Sequence, residues 1–252
     1  MALQTTKQFI IRKNLNMERK DFLKSSLGVL GLSAVLMEAC KKDVTSTDTT
    51  SGSDDSGSCS VATEETAGPY PEDLSSNSAM FRQDITEGKT GIPLNLTLTV
   101  VNTNSNCAAI ENARVDIWHC DKDGYYSAYS NTGYLGAQNN IGKTFLRGIQ
   151  LTDSNGEVTF TTIYPGWYSG RATHIHVEVF INSVLKATTQ LAFPEELTTT
   201  VYNTSLYSAH GQNTTTNETD MVFSDSYAKE LVTITGDTTN SYTATYTIGI
   251  AQ

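Results

Sequence analysis

"THIHVEVFI", Thr173 to Ile181, is the stretch that decides the fold. Ile175, Val177, Val179 and Ile181 alternate with His174, His176 and Glu178. Successive side chains of an extended chain point to opposite sides. This period of two therefore reads as a strand with one aliphatic face and one face carrying two imidazoles. Same-face neighbours stand about 6.5–7 Å apart along a strand, a spacing that lets two ring nitrogens converge on one ion.

The same alternation recurs on both sides. Leu94, Leu96, Leu98 and Val100 alternate with polar residues, and "ARVDIWHC" (113–120), "EVTFTTI" (157–163), "ELVTITG" (230–236) and "SYTATYTIGI" (241–250) are further short runs rich in Val, Ile, Thr and aromatics. "SNGE", "YPGW" and "TGDTTN" are turn signals between them. No stretch here sustains a helical period over twelve residues; "FSDSYAKELV" (223–232) holds one turn at most. The pattern predicts an all-β domain, an antiparallel β-sandwich.

The N-terminus reads differently. Lys7, Arg12, Lys13, Arg19, Lys20 and Lys24 precede a thirteen-residue apolar run, "SSLGVLGLSAVLM" (25–37), too short to span a bilayer. This is the pattern of an export signal. "LMEAC" (36–40) is similar to a bacterial lipobox, which would make Cys40 the lipidated first residue of the mature chain, although Glu38 stands where a small residue is usual. "ERKDFLK" (18–24) faintly resembles a twin-arginine signal, and either Met1 or Met17 serves as a start. Residues 41–58 contain one strongly apolar residue, Val44, and bury too little surface to fold. The expected organisation is a lipoprotein-type signal peptide over 1–39, a flexible polar tether over 40–58 and the sandwich over 59–252. The expected location is outside the cytoplasm, periplasmic or at the cell surface, with membrane contact only through the lipid anchor.

The chain has 252 residues and a formal charge of −10, and losing the basic N-terminus makes it more acidic. With no basic patch left, nucleic-acid binding is not expected. Cys59, Cys107 and Cys120 remain after Cys40. Export permits a disulfide, and an odd count leaves one thiol over. Cys59–Cys107 is the favoured pair because it ties the arriving segment to the domain; Cys120 is then a buried thiol near the site.

The histidine pair alone is a weak signal. Zinc or iron(II) would call for a cysteine, a further histidine or a carboxylate. Phe180 and Ile181 occupy the positions where a glutamate would complete one common strand-borne set, and His119 and His210 stand in no ligand frame. Tyrosine is what lies nearby: Tyr168 in "PGWYSGR", Tyr125 and Tyr126 in "DGYYSAYS". A phenol, with a pKa of about 10, ionises near neutral pH only beside a strong Lewis acid, and iron(III) is the natural partner. Two tyrosines and two histidines therefore suit a non-haem ferric site, while the same tyrosines read equally well as strand-edge aromatics.

Four stretches, in order, carry a family resemblance: "TEETAGPYPEDL" (63–74), "ARVDIWHCDKDGYYS" (113–127), "FLRGIQLTDSNGEVTFTTIYPGWY" (145–168) and "GRATHIHVEVF" (170–180). Together they resemble the motifs of the intradiol ring-cleavage dioxygenases, the family of protocatechuate 3,4-dioxygenase and catechol 1,2-dioxygenase. The resemblance implies Fe(III) held by Tyr126, Tyr168, His174 and His176, with Tyr126 preferred to Tyr125 because the family's ligand is the second residue after the glycine, here Gly124. It implies Arg171 over the substrate ring, Gln190 assisting it, and Gly68, Pro69 and Tyr70 at the pocket mouth. The implied reaction, part of aromatic-compound breakdown, cleaves a catechol-type diol with O2 to a cis,cis-muconate-type dicarboxylate, Tyr168 serving first as ligand and then as base. The sequence departs from the catechol 1,2-dioxygenases in lacking their helical dimerising segment, so a homo-oligomer is left open, and its export signal resembles the secreted branch. Trp167 is expected to narrow the pocket. Two rivals stand beside this reading: a lipid-anchored β-sandwich binding module with a relic site, and a zinc hydrolase using His174, His176 and a carboxylate.

Overall fold

The computed structural model describes residues 59–252. The export signal, Cys40 and the tether lie outside the described residues. Eleven strands are named in chain order: β1 (Pro93–Asn102), β2 (Ala108–Ala109), β3 (Arg114–Trp118), β4 (Ser130–Gly133), β5 (Gly136–Asn139), β6 (Arg147–Leu151), β7 (Glu157–Ile163), β8 (His174–Ile181), β9 (Val184–Ala192), β10 (Thr233–Gly236) and β11 (Tyr242–Ile250), with helices α1 (Glu195–Tyr202) and α2 (Tyr227–Glu230) between β9 and β10. They form a five-stranded sheet, in which β10, β11 and β1 run side by side and β1 also pairs with β7 and β2, and a four-stranded sheet ordered β6-β3-β8-β9. β4 and β5 make a separate hairpin.

The alternating aliphatics do what their period predicts. Leu94, Leu96, Leu98 and Val100 of β1 face Ile175, Val177 and Val179 of β8 across one core, joined by Val115, Ile117, Val158, Phe160, Ala244 and Ile248, all essentially buried. Burying such a side chain is worth roughly 1.5–3 kcal/mol each, which fixes the register of every contributing strand. The sandwich is therefore all-β, as its alternation implies, with one departure from antiparallel pairing. The last strand, β11, runs parallel to β1, Leu94 opposite Tyr242 through Asn102 opposite Ile250. Alternation reports which face a residue takes and carries no information on strand direction.

A second departure is α1, "EELTTTVY". Three threonines in a row argue against a helix. Tertiary burial of Thr198, Val201 and Tyr202 holds it, and Tyr164 Oη lies 2.7 Å from Thr198 Oγ1. α2 falls inside the one-turn segment expected at 223–232.

Cys59 and Cys107 form a disulfide, and Cys120 is a buried free thiol. The segment after Cys59 is laid across both sheets, Ala62 N–H donating to Gly249 O and Glu65 N–H to Thr188 O.

The face of the four-stranded sheet away from the core positions the site. Across it, Arg147 of β6, Trp118 of β3, His176 of β8 and Gln190 of β9 stand level with one another. Residues directly opposite in antiparallel strands share a face. His174, two residues from His176, joins them, and loops cover this face, so both faces of β8 at the histidines are buried.

Candidate metal centre

His174 and His176 project side by side, their Nε2 atoms 3.1 Å apart. His174 Nδ1 lies 2.7 Å from Ala172 O. A carbonyl only accepts, so Nδ1 carries the proton and Nε2 presents its lone pair. His176 is stacked on Trp118, centroids 4.9 Å apart and planes within 4°. Its Nδ1 is buried without a partner among the described residues. Burial holds both imidazoles neutral, His174 down to about 3 and His176 well below its ordinary value, the charge of Arg171 adding to the effect at each.

Tyr126 arrives from the loop after β3. Asp121 Oδ1 accepts from the N–H groups of Asp123 and Tyr125, folding the loop into a side-chain-capped turn. Gly124, at φ +86°, lies against the Trp167 carbonyl, where a Cβ would collide with backbone. The turn therefore needs glycine, and it sends the two tyrosines in different directions. Tyr125 donates its hydroxyl to Gly136 O at 2.8 Å, out toward the β4–β5 hairpin. Tyr126 turns inward, its Oη 3.2 Å from His174 Nε2. Tyr168, from the loop before β8, brings a second Oη to within 3.5 Å of the same nitrogen. Ring nitrogens and phenol oxygens of four residues thus meet in one place.

Their environment bears on what they could hold. Burial lifts the Tyr126 phenol well above its ordinary value, and Cys120 and Tyr168 raise it further. Burial also lifts Tyr168, which reaches about 12 although Arg171 opposes the rise. Both phenols stay protonated unless a strong positive charge joins them. Bonds of about 2.0–2.2 Å from a central first-row ion put neighbouring donors about 3 Å apart, the spacing found here. The donor set, two neutral imidazoles of which His174 presents its Nε2 lone pair inward, and two phenols, fits iron(III). Among the described residues no group of three His, Cys, Asp or Glu side chains could hold a metal, so the zinc-hydrolase reading lacks its third ligand.

Arg171 and Gln190 sit beside this cluster. Arg171 Nη2 donates to Gln190 Oε1 at 2.5 Å, and Gln190 Nε2 donates to Thr66 O at 2.7 Å. Gly68 packs beneath His176 rather than at a pocket mouth, a Cβ there falling 2.8 Å from His176 Cε1. Pro69 is exposed. Tyr70 stacks on Tyr126 at 4.6 Å and, with Tyr168, lines a cleft of about 610 Å³. Trp167 forms a wall of that cleft.

Three further residues escaped the sequence reading of the site. Arg147 donates to Ser127 Oγ at 2.8 Å and to Tyr70 O at 2.9 Å, clamping the loops that carry Tyr126 and Tyr70. Trp118 backs His176. Both lie within the quoted motifs, so their positions were visible and only their roles were not. Asp220, fully buried, holds Arg171 from 49 residues away and carries no motif signal. His119 and Cys120 are buried structural groups: His119 bonds Cys120 O and Thr162 Oγ1, and burial pushes the Cys120 thiol upward.

The fold and this cluster define a class: a β-sandwich with a buried tyrosine–histidine centre on one sheet. A dioxygenase family model matches residues 67–213. An intradiol ring-cleavage dioxygenase from Tetranychus urticae shares 31% identity over 77% of this chain and 95% of its own, at a TM-score of 0.68. A curated catechol 1,2-dioxygenase from Acinetobacter baylyi is 31% identical over 100 residues, 32% of this chain and 30% of that protein. The dioxygenase domain of a dioxygenase–carbohydrate-binding protein fusion from Streptomyces sp. SirexAA-E shares the fold at a TM-score of 0.54 and 23% identity, over 76% of this chain and 99% of that one. The chain belongs to the intradiol ring-cleavage dioxygenase family.

Proposed function

We propose that this protein is an iron(III)-dependent dioxygenase that cleaves a catechol-type diol between its two hydroxylated carbons. One observation carries the reading: Tyr126 Oη, Tyr168 Oη, His174 Nε2 and His176 Nε2 lie within 3.1–3.5 Å of their neighbours in a buried site. These four are the proposed ligands. Iron(III), when bound, supplies the charge that lets phenols and a catechol ionise near neutral pH, and it draws electron density from the diol.

The chain's own residues divide the remaining work. Ala172 O and Trp118 fix the two imidazole planes. Tyr168 is the donor bordering the cleft, and its Oη takes the proton of one catechol hydroxyl as the diol enters. Arg171 offsets negative charge on the ring, held in place by Gln190. Tyr126 and His176 are fully buried and stay as fixed walls. In the overall reaction one carbon–carbon bond breaks and each freed carbon takes one oxygen atom of O2. Four electrons pass from the ring to O2, giving a cis,cis-muconate-type dicarboxylic acid with no further reductant.

The purified protein is expected to be red-brown, with a broad visible band that shifts when catechol is added, and to consume O2 stoichiometrically with catechol. Tyr168→Phe should move that band and slow turnover. A colourless protein that binds no iron would sink the proposal. Export with lipidation at Cys40 belongs to the same proposal. A mature N-terminus at Cys40 with an added acyl mass supports it, and an unmodified Cys40 in a membrane fraction refutes it.

A further inference from the structure

The cleft that opens on Tyr168 is larger than a single dihydroxylated ring needs. At about 610 Å³ it lies in the range that encloses drug-sized molecules. Its inner end is Tyr70 and Tyr168, beside the tyrosine–histidine cluster. Its outer wall is Trp167, the residue next to Tyr168 in the chain, so a ring bound at Tyr168 directs a substituent along Trp167.

That wall is aromatic and fixed. Trp167 stacks on His210 with centroids 4.1 Å apart. Its Nε1–H donates to Gly211 O at 3.0 Å, and His210 Nε2–H donates to the Trp167 carbonyl at 2.6 Å. Tyr134, at the tip of the β4–β5 hairpin, stands 6.2 Å from Trp167 and 5.5 Å from His210 by ring centroids. It is 72% exposed, a large ring left uncovered at the edge of the cleft. Among the described residues no lysine or arginine lines the cleft, whose charged residue is Asp123, so a carboxylate-bearing diol meets no cationic partner here and faces one like charge.

From this geometry we infer an outer subsite, formed by Trp167, His210 and Tyr134, for a neutral aryl group carried by the catechol. The inference deepens the proposed reaction by naming its substrate class. The second ring lies against Trp167 and under Tyr134 while the diol reaches Tyr168.

The test compares catechol, 4-phenylcatechol and 3,4-dihydroxybenzoate, in turnover by the iron-loaded protein and in calorimetric binding to the metal-free protein. 4-Phenylcatechol is expected to bind about tenfold tighter than catechol, the size of an aromatic contact, with the benzoate weakest. Tyr134→Ala, at an exposed site where folding is not at stake, should reduce the preference for 4-phenylcatechol over catechol by about fivefold. Equal binding of the two neutral diols, a preference for the benzoate, or a Tyr134→Ala effect equal on both would overturn the subsite. If no diol is turned over yet 4-phenylcatechol still binds in a Tyr134-dependent way, the reaction fails and the subsite stands.

Discussion

Asp220 holds Arg171 by both carboxylate oxygens, at 2.9 and 3.1 Å from Nε, with neither residue appreciably exposed. The same carboxylate accepts from the backbone N–H groups of Ala172, Val222 and Phe223. One residue thus pins the guanidinium, the start of β8 and the turn at 220–223. Breaking a buried ion pair from one side costs about 3–5 kcal/mol, because the remaining charge stays buried. Asp220→Asn should lower unfolding free energy by that order in denaturant titrations. If Arg171 is merely structural, kcat of the folded fraction is unchanged; if it faces the ring, kcat falls with it, and Asp220→Glu restores part.

Gly68 is placed against His176 so tightly that a methyl group would displace the ring. At φ +71° an alanine also costs about 1–2 kcal/mol of backbone strain. Gly68→Ala is expected to weaken iron binding about 10- to 100-fold, the scale of disturbing a group that orients a ligand, with little change in overall β content. Iron content after dialysis and circular dichroism together check this. Full iron occupancy in a folded variant would show that His176 is not a ligand.

Much of this was legible in the chain. The period of two in Leu94–Val100 and Thr173–Ile181 determines which side chains meet in the core, and the core then fixes register. The cluster's residues were legible because Tyr126, Tyr168, His174 and His176 each fall within one of the ordered motifs that carry the family resemblance; the histidine pair alone would not have singled them out. What escaped were long-range relations: the parallel pairing of β11 with β1, α1 held by burial against its threonine content, and Asp220 reaching Arg171. None leaves a local pattern, since each depends on where separate segments cross.

Glu230 gives a pH prediction. It is fully buried, Ser226 Oγ donates to its Oε2 at 2.8 Å, and Oε1 lacks a partner among the described residues. Burial raises it from 4.5 to about 7, opposed by Ser226 and aided by Glu65, which shares the same hydroxyl. A carboxyl raised in the native state supports folding fully below its unfolded value of 4.5 and loses that support as pH rises through about 7. Asp116 behaves alike, raised by burial to about 7, so the comparison must be with a variant. Glu230→Gln should leave stability at pH 4 nearly unchanged and raise it at pH 8 relative to the parent, by on the order of 1–3 kcal/mol. Parallel stability–pH curves for the two proteins would contradict the assignment.

The Cys59–Cys107 disulfide fastens the segment that carries Gly68 and Tyr70 to the loop between β1 and β2. It closes a loop of 48 residues, so its loss should cost about 2–4 kcal/mol by releasing the unfolded chain. The segment has other attachments. Glu65 N–H bonds β9, Thr66 O receives Gln190, and Arg147 holds Tyr70 O. These lie nearer the site than the disulfide does along the chain. The double variant Cys59→Ser/Cys107→Ser is therefore expected to lower the denaturation midpoint while keeping its iron, its visible band and kcat within about twofold, since RT is about 0.6 kcal/mol and the local bonds each contribute about 1 kcal/mol. Loss of colour in the folded double variant would mean that the disulfide, and not those hydrogen bonds, places Gly68 against His176.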